Sequence, residues 1–548
     1  MQGIRRIFAT AIVTLSLAAC GGSSGGATTP PPPPPSPPPT VTMDEAFQFL
    51  NQATFGATQV EVQHVVDIGI EAWIDEQMQM PVSRQLPHLQ NLPRPQNLAE
   101  LQVDRVDIWF RNAINQPDQL RQRVTFALSE ITVVSQLGAL VDAPYSLGSY
   151  YDVLAENAFG NYRQLVQRVT LHPAMGVYLS MLGNEKPNPA LNIRPDENYA
   201  RELMQLFSIG LVELNADGSE VLDGQNQPIP TYNQAIIEGF AHVYTGWNYA
   251  GAPSFQQARR NDANQTIPMQ LYPAFHDDGA KMLLNGVTLP AGQNGNQDLA
   301  AALDNVFNHA NVGPFIAIRL IQRLVTSNPS PGYIQRIGAV FDNNGSGVRG
   351  DLGAVVKAIL MDDEARPDLP MEIDGKIKEP LLRLTQLWRA YNASSESGKY
   401  PLVASYFIFG QGPLQAVHVF NFFSPFFAPA GEIRNSSFVA PELEIATEYQ
   451  NTFVTNYFFL TCFGLNSANE NLEADDVFID ISEEMVIAGD TNALIDMVVS
   501  KLLAGTVSDV LRAEMVGMID RIDVADVANR TAEAIYFVVS SPEFAYQR

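Results

Sequence analysis

From residue 42 onward, apolar residues recur mostly at spacings of three and four, which is the pattern of helices with one buried face. Two capping-box sequences, Thr42 with Glu45 and Thr58 with Glu61, indicate where the first two helices begin. Strand-like alternation is scarce, apart from a hairpin expected between 210 and 232, where two Asp-Gly turns occur. The pattern predicts a mainly α fold, a large multi-helical body with at most a minor β-hairpin. Further helices are expected over 101–115, 118–136, 150–170, 196–210, 232–246, 298–310, 314–326, 351–361, 376–392, 440–460, 492–503, 508–520 and 528–540.

The first residues have the composition of an export signal. Arg5 and Arg6 precede an apolar stretch at 7–19, which is too short to span a bilayer but fits a signal peptide. The sequence Leu-Ala-Ala-Cys that ends at Cys20 resembles the bacterial lipobox, which implies lipid attachment to this cysteine and cleavage before it. An ordinary secretory signal is the alternative. Gly21 rather than an aspartate follows the cysteine, which in enteric-type bacteria implies sorting to the outer membrane.

A Gly/Ser-rich and then Pro-rich stretch follows the cysteine. Such a sequence is expected to be disordered and to act as a stiff spacer, because proline runs hold the extended polyproline II conformation. It would lift a folded body off the membrane surface. The predicted organisation is a lipoprotein signal peptide at 1–19, the lipidated cysteine and linker at 20–41, and a helical domain at 42–548.

The composition excludes several classes of protein. With 46% apolar and 17% charged residues, the bulk of the chain is expected to fold rather than remain disordered. The formal charge of −26 makes nucleic acid an unfavourable partner, because phosphate binding needs a basic surface. No apolar run after Cys20 is long enough to predict a transmembrane helix. The second cysteine, Cys462, lies in an aromatic run and is expected to be a buried small hydrophobe.

The densest group of polar residues lies on the helix predicted over 196–210. On a helical wheel, Asn198 and Glu202 share one edge of an apolar stripe, so both are expected to be partly buried. A half-buried carboxylate needs a donor, a metal or a substrate as its partner, although a polar network that braces helices would also satisfy it. Glu197 and Arg201 lie opposite the stripe at i,i+4 and are expected to form a surface ion pair.

A histidine followed by two aspartates at 276–278 is the second candidate site. Such a loop could hold a metal ion, or supply a base with its orienting acid. We predict catalytic roles for Glu202, His276 and Asp277, with His276 donating to Glu202 and Asp277 orienting the ring, all in one cleft. The alternative is a turn held by local hydrogen bonds.

The segment 342–348 has oxygen-bearing side chains at positions 1, 3 and 5 and glycine at position 6, like the first half of an EF-hand loop. The twelfth position is Gly353, so the usual bidentate glutamate is missing. Asp342, Asn344 and Asp351 are the candidate ligands of a divalent cation, the one cofactor that the sequence suggests. A helix-joining turn, in which Asp351 starts the next helix, is the alternative.

Six stretches spread over nearly all of 42–548 carry a family resemblance: 195–207 (PDENYARELMQLF), 245–247 (TGW), 276–281 (HDDGAK), 342–352 (DNNGSGVRGDL), 419–425 (VFNFFSP) and 541–548 (SPEFAYQR). In this order they resemble the bacterial domain of unknown function 1800 (DUF1800) family. The resemblance implies an exported, mainly helical protein, often encoded beside a companion of the DUF1501 family, which looks like alkaline phosphatases and sulfatases. One departure is His242, where the family leads us to expect Arg or Lys.

These patterns leave two functions open. The leading hypothesis is a membrane-tethered envelope protein that binds an extracellular ligand or a partner protein, such as the DUF1501 companion. Asn198, Arg201 and Trp247 are its candidate binding residues. The alternative is a metal-assisted or acid/base envelope hydrolase that uses Glu202 with His276 and Asp277.

The lipid anchor is directly testable. We expect palmitate to label the protein, and the label to disappear in a Cys20→Ser variant, because the thiol is the point of attachment. Metabolic labelling followed by gel autoradiography measures this. Labelling of the variant at the wild-type level would refute the lipoprotein assignment.

Overall fold

Helices dominate the computed structural model, which describes residues 41–367 and 374–547. Cys20, the predicted signal peptide and nearly all of the predicted linker lie outside these ranges. The described residues contain 24 α-helices, so the mainly α fold is confirmed. The first twelve are α1 (Met43–Ala53), α2 (Gln59–Ile68), α3 (Ile70–Gln79), α4 (Leu86–Gln90), α5 (Leu101–Asn115), α6 (Gln119–Ser129), α7 (Pro144–Asn157), α8 (Tyr162–Leu171), α9 (Pro173–Tyr178), α10 (Asn198–Glu202), α11 (Gln234–Val243) and α12 (Gly295–Phe307). The second twelve are α13 (Val312–Leu324), α14 (Pro331–Asp342), α15 (Leu352–Met361), α16 (Pro380–Ala390), α17 (Ser405–Phe409), α18 (Glu432–Asn435), α19 (Glu448–Phe463), α20 (Ser482–Ile487), α21 (Thr491–Leu503), α22 (Asp509–Ile519), α23 (Val527–Val539) and α24 (Pro542–Ala545).

The strands within the described ranges form three antiparallel pairs of two residues each. They are β1 (Trp247–Asn248) with β2 (Gln270–Leu271), β3 (Lys281–Met282) with β4 (Thr288–Leu289), and β5 (Lys376–Ile377) with β6 (Tyr546–Gln547). In the hairpin region predicted at 210–232, single antiparallel bridges join Val212 to Pro230, Leu214 to Glu220 and Leu222 to Pro228. The β structure is therefore minor, and β5–β6 ties the C-terminal end of the chain to its middle.

Local sequence explains where the first helices begin and end. The Thr42 hydroxyl accepts the N–H of Glu45 at 3.2 Å, and the Glu45 carboxylate accepts the N–H of Thr42 at 2.7 Å, so the predicted capping box is present. Thr58 accepts the N–H of Glu61 at 3.2 Å and starts α2 in the same way. Gly69 ends α2 with a φ of +88°, a conformation that glycine adopts without strain.

Two predicted helices have different bounds because polar residues cap the chain inside them. The helix expected over 150–170 is split, since the Asn161 side chain accepts the N–H of Arg163 at 3.0 Å and begins α8 there. The helix expected over 440–460 begins later, because Thr447 caps α19 by accepting the N–H of Gln450 at 3.2 Å. Apolar periodicity continues across both caps, so it could not locate them.

The main hydrophobic core joins the helices, and Trp109 shows how. Its ring packs edge-on against Phe55 and Phe110 at centroid distances of 5.3 and 5.0 Å, and against Phe126 at 5.6 Å. The indole N–H donates to the Tyr151 hydroxyl at 2.8 Å, so this large buried side chain leaves no polar atom unsatisfied. The contacts link α5, α6 and α7 to the turn after α1.

No helix of residues 41–367 and 374–547 combines the length and the apolar character that crossing a bilayer requires.

The packing of α11 on β3 leaves no room for a side chain at Gly239. A Cβ atom there would lie 1.8 Å from the carbonyl oxygen of Met282. We expect Gly239→Ala to lower the free energy of unfolding by about 1–3 kcal/mol, because the backbone must shift to accept the methyl group. Thermal unfolding followed by circular dichroism measures the loss.

Gly517 on α22 is the matched control, because nothing lies within 4 Å of a Cβ built there. Gly517→Ala should stabilise the protein by about 0.5–1 kcal/mol, since alanine has the higher helix propensity. Equal melting temperatures for the two variants would contradict the close contact at Gly239.

Candidate functional site

Glu202 ends the short helix α10 and is only 6% exposed. The chain then widens into a π-helical turn at Leu203–Ser208, a feature found frequently at functional sites. In the described part of the chain, the Oε2 atom of Glu202 has no hydrogen-bond partner. Burial raises the pKa of Glu202, and the charge of Arg201 offsets part of the rise. The expected burial of Glu202 is confirmed, and its carboxylate keeps one acceptor unused.

The other polar residues of α10 face solvent. Asn198 is exposed, so the expectation of partial burial is wrong for this residue. It lies in the first turn, where the Asp196 side chain accepts its N–H at 2.8 Å. The Arg201 guanidinium lies 3.1 Å from the Glu197 carboxylate, as predicted for a surface ion pair. Roles for Asn198 and Arg201 in binding stay predictions.

The charge of Glu202 contributes to raising the pKa of two tyrosines, Tyr178 and Tyr232. Burial, with a smaller contribution from Glu202, raises the pKa of Tyr178 to about 12. Burial also raises the pKa of Tyr232, whose hydroxyl has no hydrogen-bond partner among the described residues. Glu202 and Tyr232 therefore each present one buried polar atom that no described group satisfies. A carboxyl group with a raised pKa can hold a proton and donate it.

His276 is 3% exposed and does not contact Glu202. Its Nδ1 atom lies 3.0 Å from the carbonyl oxygen of Thr245, and its Nε2 atom lies 2.9 Å from Oδ2 of Asp298 on α12. The Lys281 ammonium lies 2.7 Å from the same Asp298 oxygen. Both ring nitrogens are thus used inside the protein, and the expected hydrogen bond from His276 to Glu202 is absent.

Asp277 pairs with His242 rather than with the His276 ring, which corrects the predicted pair. The chain is extended at His276, so successive side chains point to opposite sides. One Asp277 oxygen lies 2.5 Å from Nδ1 of His242, and the other accepts the N–H of Gly279 at 2.7 Å. Burial raises the pKa of Asp277, but the hydrogen bonds from Gly279 and His242 outweigh it and hold the pKa below its usual value.

The pair of Asp277 and His242 has the geometry of an oriented base. The carboxylate fixes one ring nitrogen, and the His242 side chain is 32% exposed, so the ring can exchange protons with solvent or a ligand. His242 lies on α11, which packs against α10 through the rings of Tyr199 and Tyr244, 5.0 Å apart. Glu202 on α10 and His242 on α11 therefore lie on neighbouring helices. The single cleft predicted for Glu202, His276 and Asp277 stays a prediction.

Trp247 lies in the core on β1, 3% exposed. Its indole N–H has no hydrogen-bond partner in the ranges 41–367 and 374–547. The ring belongs to the same core cluster as Tyr199 and Tyr244. A ligand could reach Trp247 only if the surrounding side chains moved, and its binding role stays a prediction.

The candidate metal ligands of the 342–351 loop bond to their own chain. Asn344 donates to Asp351 at 2.7 Å, Asp351 accepts the N–H of Ala354 at 3.1 Å as the cap of α15, and Asp342 pairs with Arg349. No group of three or more His, Cys, Asp or Glu side chains in the described ranges is placed to hold a metal ion. The geometry favours the helix-joining turn that starts α15.

A scan against family models matches residues 48–546 to the model described as "Protein of unknown function (DUF1800)". The chain belongs to the DUF1800 family. No curated protein and no solved structure matches it. The family description names no reaction, so function must be argued from the residues themselves.

Sequence reasoning missed an ionic cluster buried in the core of this DUF1800 protein. We define the ionic cluster as Glu130, Arg323, Lys376, Glu379 and Glu442, each at most 5% exposed. Lys376 Nζ lies 3.0 Å from Glu442 and 3.4 Å from Glu379, and the Arg323 guanidinium lies 3.6 Å from Glu130. The sequence did contain a signal for this cluster. Glu130 and Arg323 are charged residues within apolar helical stretches, and a charged residue that is buried needs a partner of opposite charge.

Two side-chain amides donate hydrogen bonds to the ionic cluster. Gln411 donates to Glu379 at 2.5 Å and to Glu130 at 3.2 Å, and Asn421 donates to Glu130 at 3.2 Å. Burial still raises the pKa of Glu130, to about 8, although Arg323 opposes the rise. The Oε2 atom of Glu130 has no hydrogen-bond partner in the described chain, which explains why the charged form is poorly stabilised.

The raised pKa of Glu130 gives a pH dependence with a definite sign. Between about pH 4.3, the usual glutamate value, and about pH 8, the folded protein keeps a proton on Glu130 that the unfolded chain has lost. Glu130 therefore makes the protein less stable as the pH rises through this window. We expect the melting temperature of Glu130→Gln to fall less between pH 5 and pH 8 than that of the wild type.

Glu156 is the matched control, because its pKa is shifted the other way. Burial raises the pKa of Glu156, but hydrogen bonds from Arg168 and Arg84 outweigh burial and hold this pKa below its usual value. Glu156 is then charged in both the folded and unfolded states from pH 5 to pH 8, so Glu156→Gln should lower the melting temperature equally at both values. Differential scanning calorimetry measures both variants. An unchanged pH dependence in Glu130→Gln would show that Glu130 is charged in the fold.

Proposed function

We propose that the protein is a lipid-anchored envelope protein of the bacterial outer membrane whose helical body binds a partner protein. The lipobox-like sequence at Cys20 and the proline-rich linker support the location. The proposal for binding rests on the surface of the helical body.

The observation that carries the proposal is the position of the exposed aromatic side chains. Six aromatic residues in the described ranges are strongly exposed, and all six lie within one stretch of 53 residues, 407–459. Scattered exposed apolar residues are normal, but a concentration of large rings is typical of interaction surfaces. The six are Phe407, Phe420, Phe426, Tyr449, Phe453 and Phe459.

Helix α19 carries three of these rings, and its other exposed residues include polar ones such as Glu448, Asn451 and Asn456. Only Val454, Phe458, Thr461 and Cys462 of its 16 residues are buried. Tyr449, Phe453 and Leu460 lie within about 40° of one another around the helix, on the side turned away from the core. Large apolar side chains that lie exposed on one side of a helix fit a surface that is covered on binding.

Contacts between rings make the exposed surface continuous. Phe407 on α17 meets Tyr449 at a centroid distance of 6.3 Å, and Tyr449 meets Phe453 at 4.4 Å. We call Phe407, Tyr449, Phe453 and Leu460 the aromatic face. Phenylalanine and tyrosine lose few rotatable bonds when they are covered, which is why they anchor protein interfaces.

Charge indicates the kind of partner. The exposed charged residues of 405–463 are Glu432, Glu444 and Glu448 against Arg434 alone, within a chain of net charge −26. A partner with an apolar patch and a basic rim is complementary to this surface, whereas an anionic lipid surface is not. The DUF1501-family companion is the proposed partner, on the strength of the family resemblance.

An acid/base hydrolase is the second candidate, and the oriented pair of Asp277 and His242 favours it. Glu202, with a raised pKa and an unused oxygen, would be its acid. Such an enzyme would lose turnover in Glu202→Gln and keep its partner binding.

The aromatic face can be tested with purified proteins. We expect Phe453→Ser to weaken binding to a purified DUF1501-family companion by at least about tenfold, since central aromatic residues contribute most to interfaces. Isothermal titration calorimetry measures the affinity, and circular dichroism checks the fold.

Val510→Ser is the matched control, because Val510 on α22 is 75% exposed and lies outside the aromatic face. It should leave the affinity unchanged. Equal affinities for the two variants would rule out the aromatic face as the interface. Binding of the wild type to phosphatidylglycerol vesicles, lost in Phe453→Ser, would instead assign the face to lipid.

A further inference from the structure

A cleft of about 400 Å³ lies beside the C-terminal end of the chain, and its lining includes no residue of the aromatic face. Its lining comes from α1, from the end of α21 and the turn after it, and from the C-terminal residues 543–547. The volume is within the range of pockets that hold small molecules. Lys378, which directly follows β5, is part of the lining.

Lys378 is buried without a counter-charge. It is 5% exposed, and its Nζ atom donates to the Gln386 side chain at 2.6 Å and lies 4.3 Å from the centre of the Phe544 ring. No described carboxylate lies within 4.0 Å of it. Four other lysines do contact carboxylates at that distance: Lys281, Lys357, Lys376 and Lys501.

This setting favours the free amine. Burial lowers the pKa of Lys378 well below its usual value, and the charge of Arg383 lowers it further. An uncharged amine keeps a lone pair that can attack a carbonyl carbon, which is how desolvated lysines act as nucleophiles.

The rest of the lining indicates what could bind. Asp44 and Glu543 bring carboxylates to the cleft, and Thr506 and Ser508 bring hydroxyl groups. The Ser508 hydroxyl donates to Glu543 at 2.7 Å. Side chains of these kinds hydrogen-bond the hydroxyl groups of a ligand, while the two carboxylates repel an anion.

We propose that this cleft binds a neutral, hydroxylated aldehyde and that Lys378 forms an imine with it. The nitrogen lone pair forms a bond to the carbonyl carbon, and the carbon–oxygen double bond breaks. The oxygen leaves as water with the two hydrogens of the amine, and a carbon–nitrogen double bond remains. No electrons are gained or lost, so the step needs no oxidant or reductant.

A purely structural role gives the opposite expectation. In that role, Lys378 only donates its hydrogen bond to Gln386 and contacts the Phe544 ring. Its buried amine is then less reactive than that of an exposed lysine. Lys399 is exposed and has no carboxylate partner among the described ion pairs, so it is the internal standard.

The test uses the full-length protein, D-glyceraldehyde as the probe and sodium cyanoborohydride to trap the imine at pH 7. Peptide mass mapping gives the labelling rate at each lysine. We expect Lys378 to be labelled at least about tenfold faster than Lys399, because an ordinary lysine is almost wholly protonated at pH 7. Its labelling rate should also rise less from pH 7 to pH 9 than that of Lys399.

Two comparisons sharpen the result. Glyoxylate, a small anionic aldehyde, should label Lys378 more slowly than D-glyceraldehyde, and the reverse order would overturn the neutral class of ligand. Lys399→Arg should leave the labelling rate of Lys378 unchanged. Lys378→Arg should remove the fast labelling of the protein. Labelling of wild-type Lys378 no faster than Lys399 would overturn the imine site, whether or not Lys378→Arg folds.

Discussion

The ammonium group of Lys376 holds together three distant parts of the chain. It is 1% exposed and donates to the carbonyl oxygens of Gln322 and Arg323 at 2.9 and 3.1 Å, while Glu442 and Glu379 approach it at 3.0 and 3.4 Å. A buried charge is tolerated only when it is paired and hydrogen-bonded, and removal of one partner typically destabilises a protein by about 3–5 kcal/mol. The end of α13, β5 and the turn before α19 must therefore meet at this point.

Both proposed sites depend on that meeting. Glu442 lies in the turn that precedes α19, so its contact with Lys376 anchors the start of the helix that carries Tyr449, Phe453 and Leu460. The Arg323 guanidinium lies 4.5 Å from the centre of the Phe423 ring and holds the loop between α17 and α19 against the core. On the other side, β5 pairs with β6, and the N–H of Lys378 donates to the carbonyl oxygen of Ala545 at 2.8 Å. This pairing brings Lys378 beside the C-terminal residues that share the lining of the cleft.

The structural features predicted best from the sequence are those that depend on residues close together in the chain. The cap at Thr42 and the Glu197–Arg201 pair involve residues three and four apart, and the helical period alone places them together. The partner of His276 is 22 residues away, and Gln411 is 281 residues from Glu130. Periodicity indicates which side of a helix is buried, but it does not say what lies opposite. The aromatic run around Cys462 illustrates the limit, because the thiol is buried as expected while Phe459 and Leu460 are exposed.

Lys376 and Lys378 show why the chemistry of a site follows from its partners. One residue separates the two lysines in the chain, and both are at most 5% exposed. Lys376 meets two carboxylates, so its positive charge is balanced in place. Lys378 meets an amide oxygen and an aromatic ring, and neither carries a full negative charge. Burial favours the free amine at Lys378, and no carboxylate there opposes it. The same segment can therefore brace the core with one lysine and offer a nucleophile to the cleft with the other.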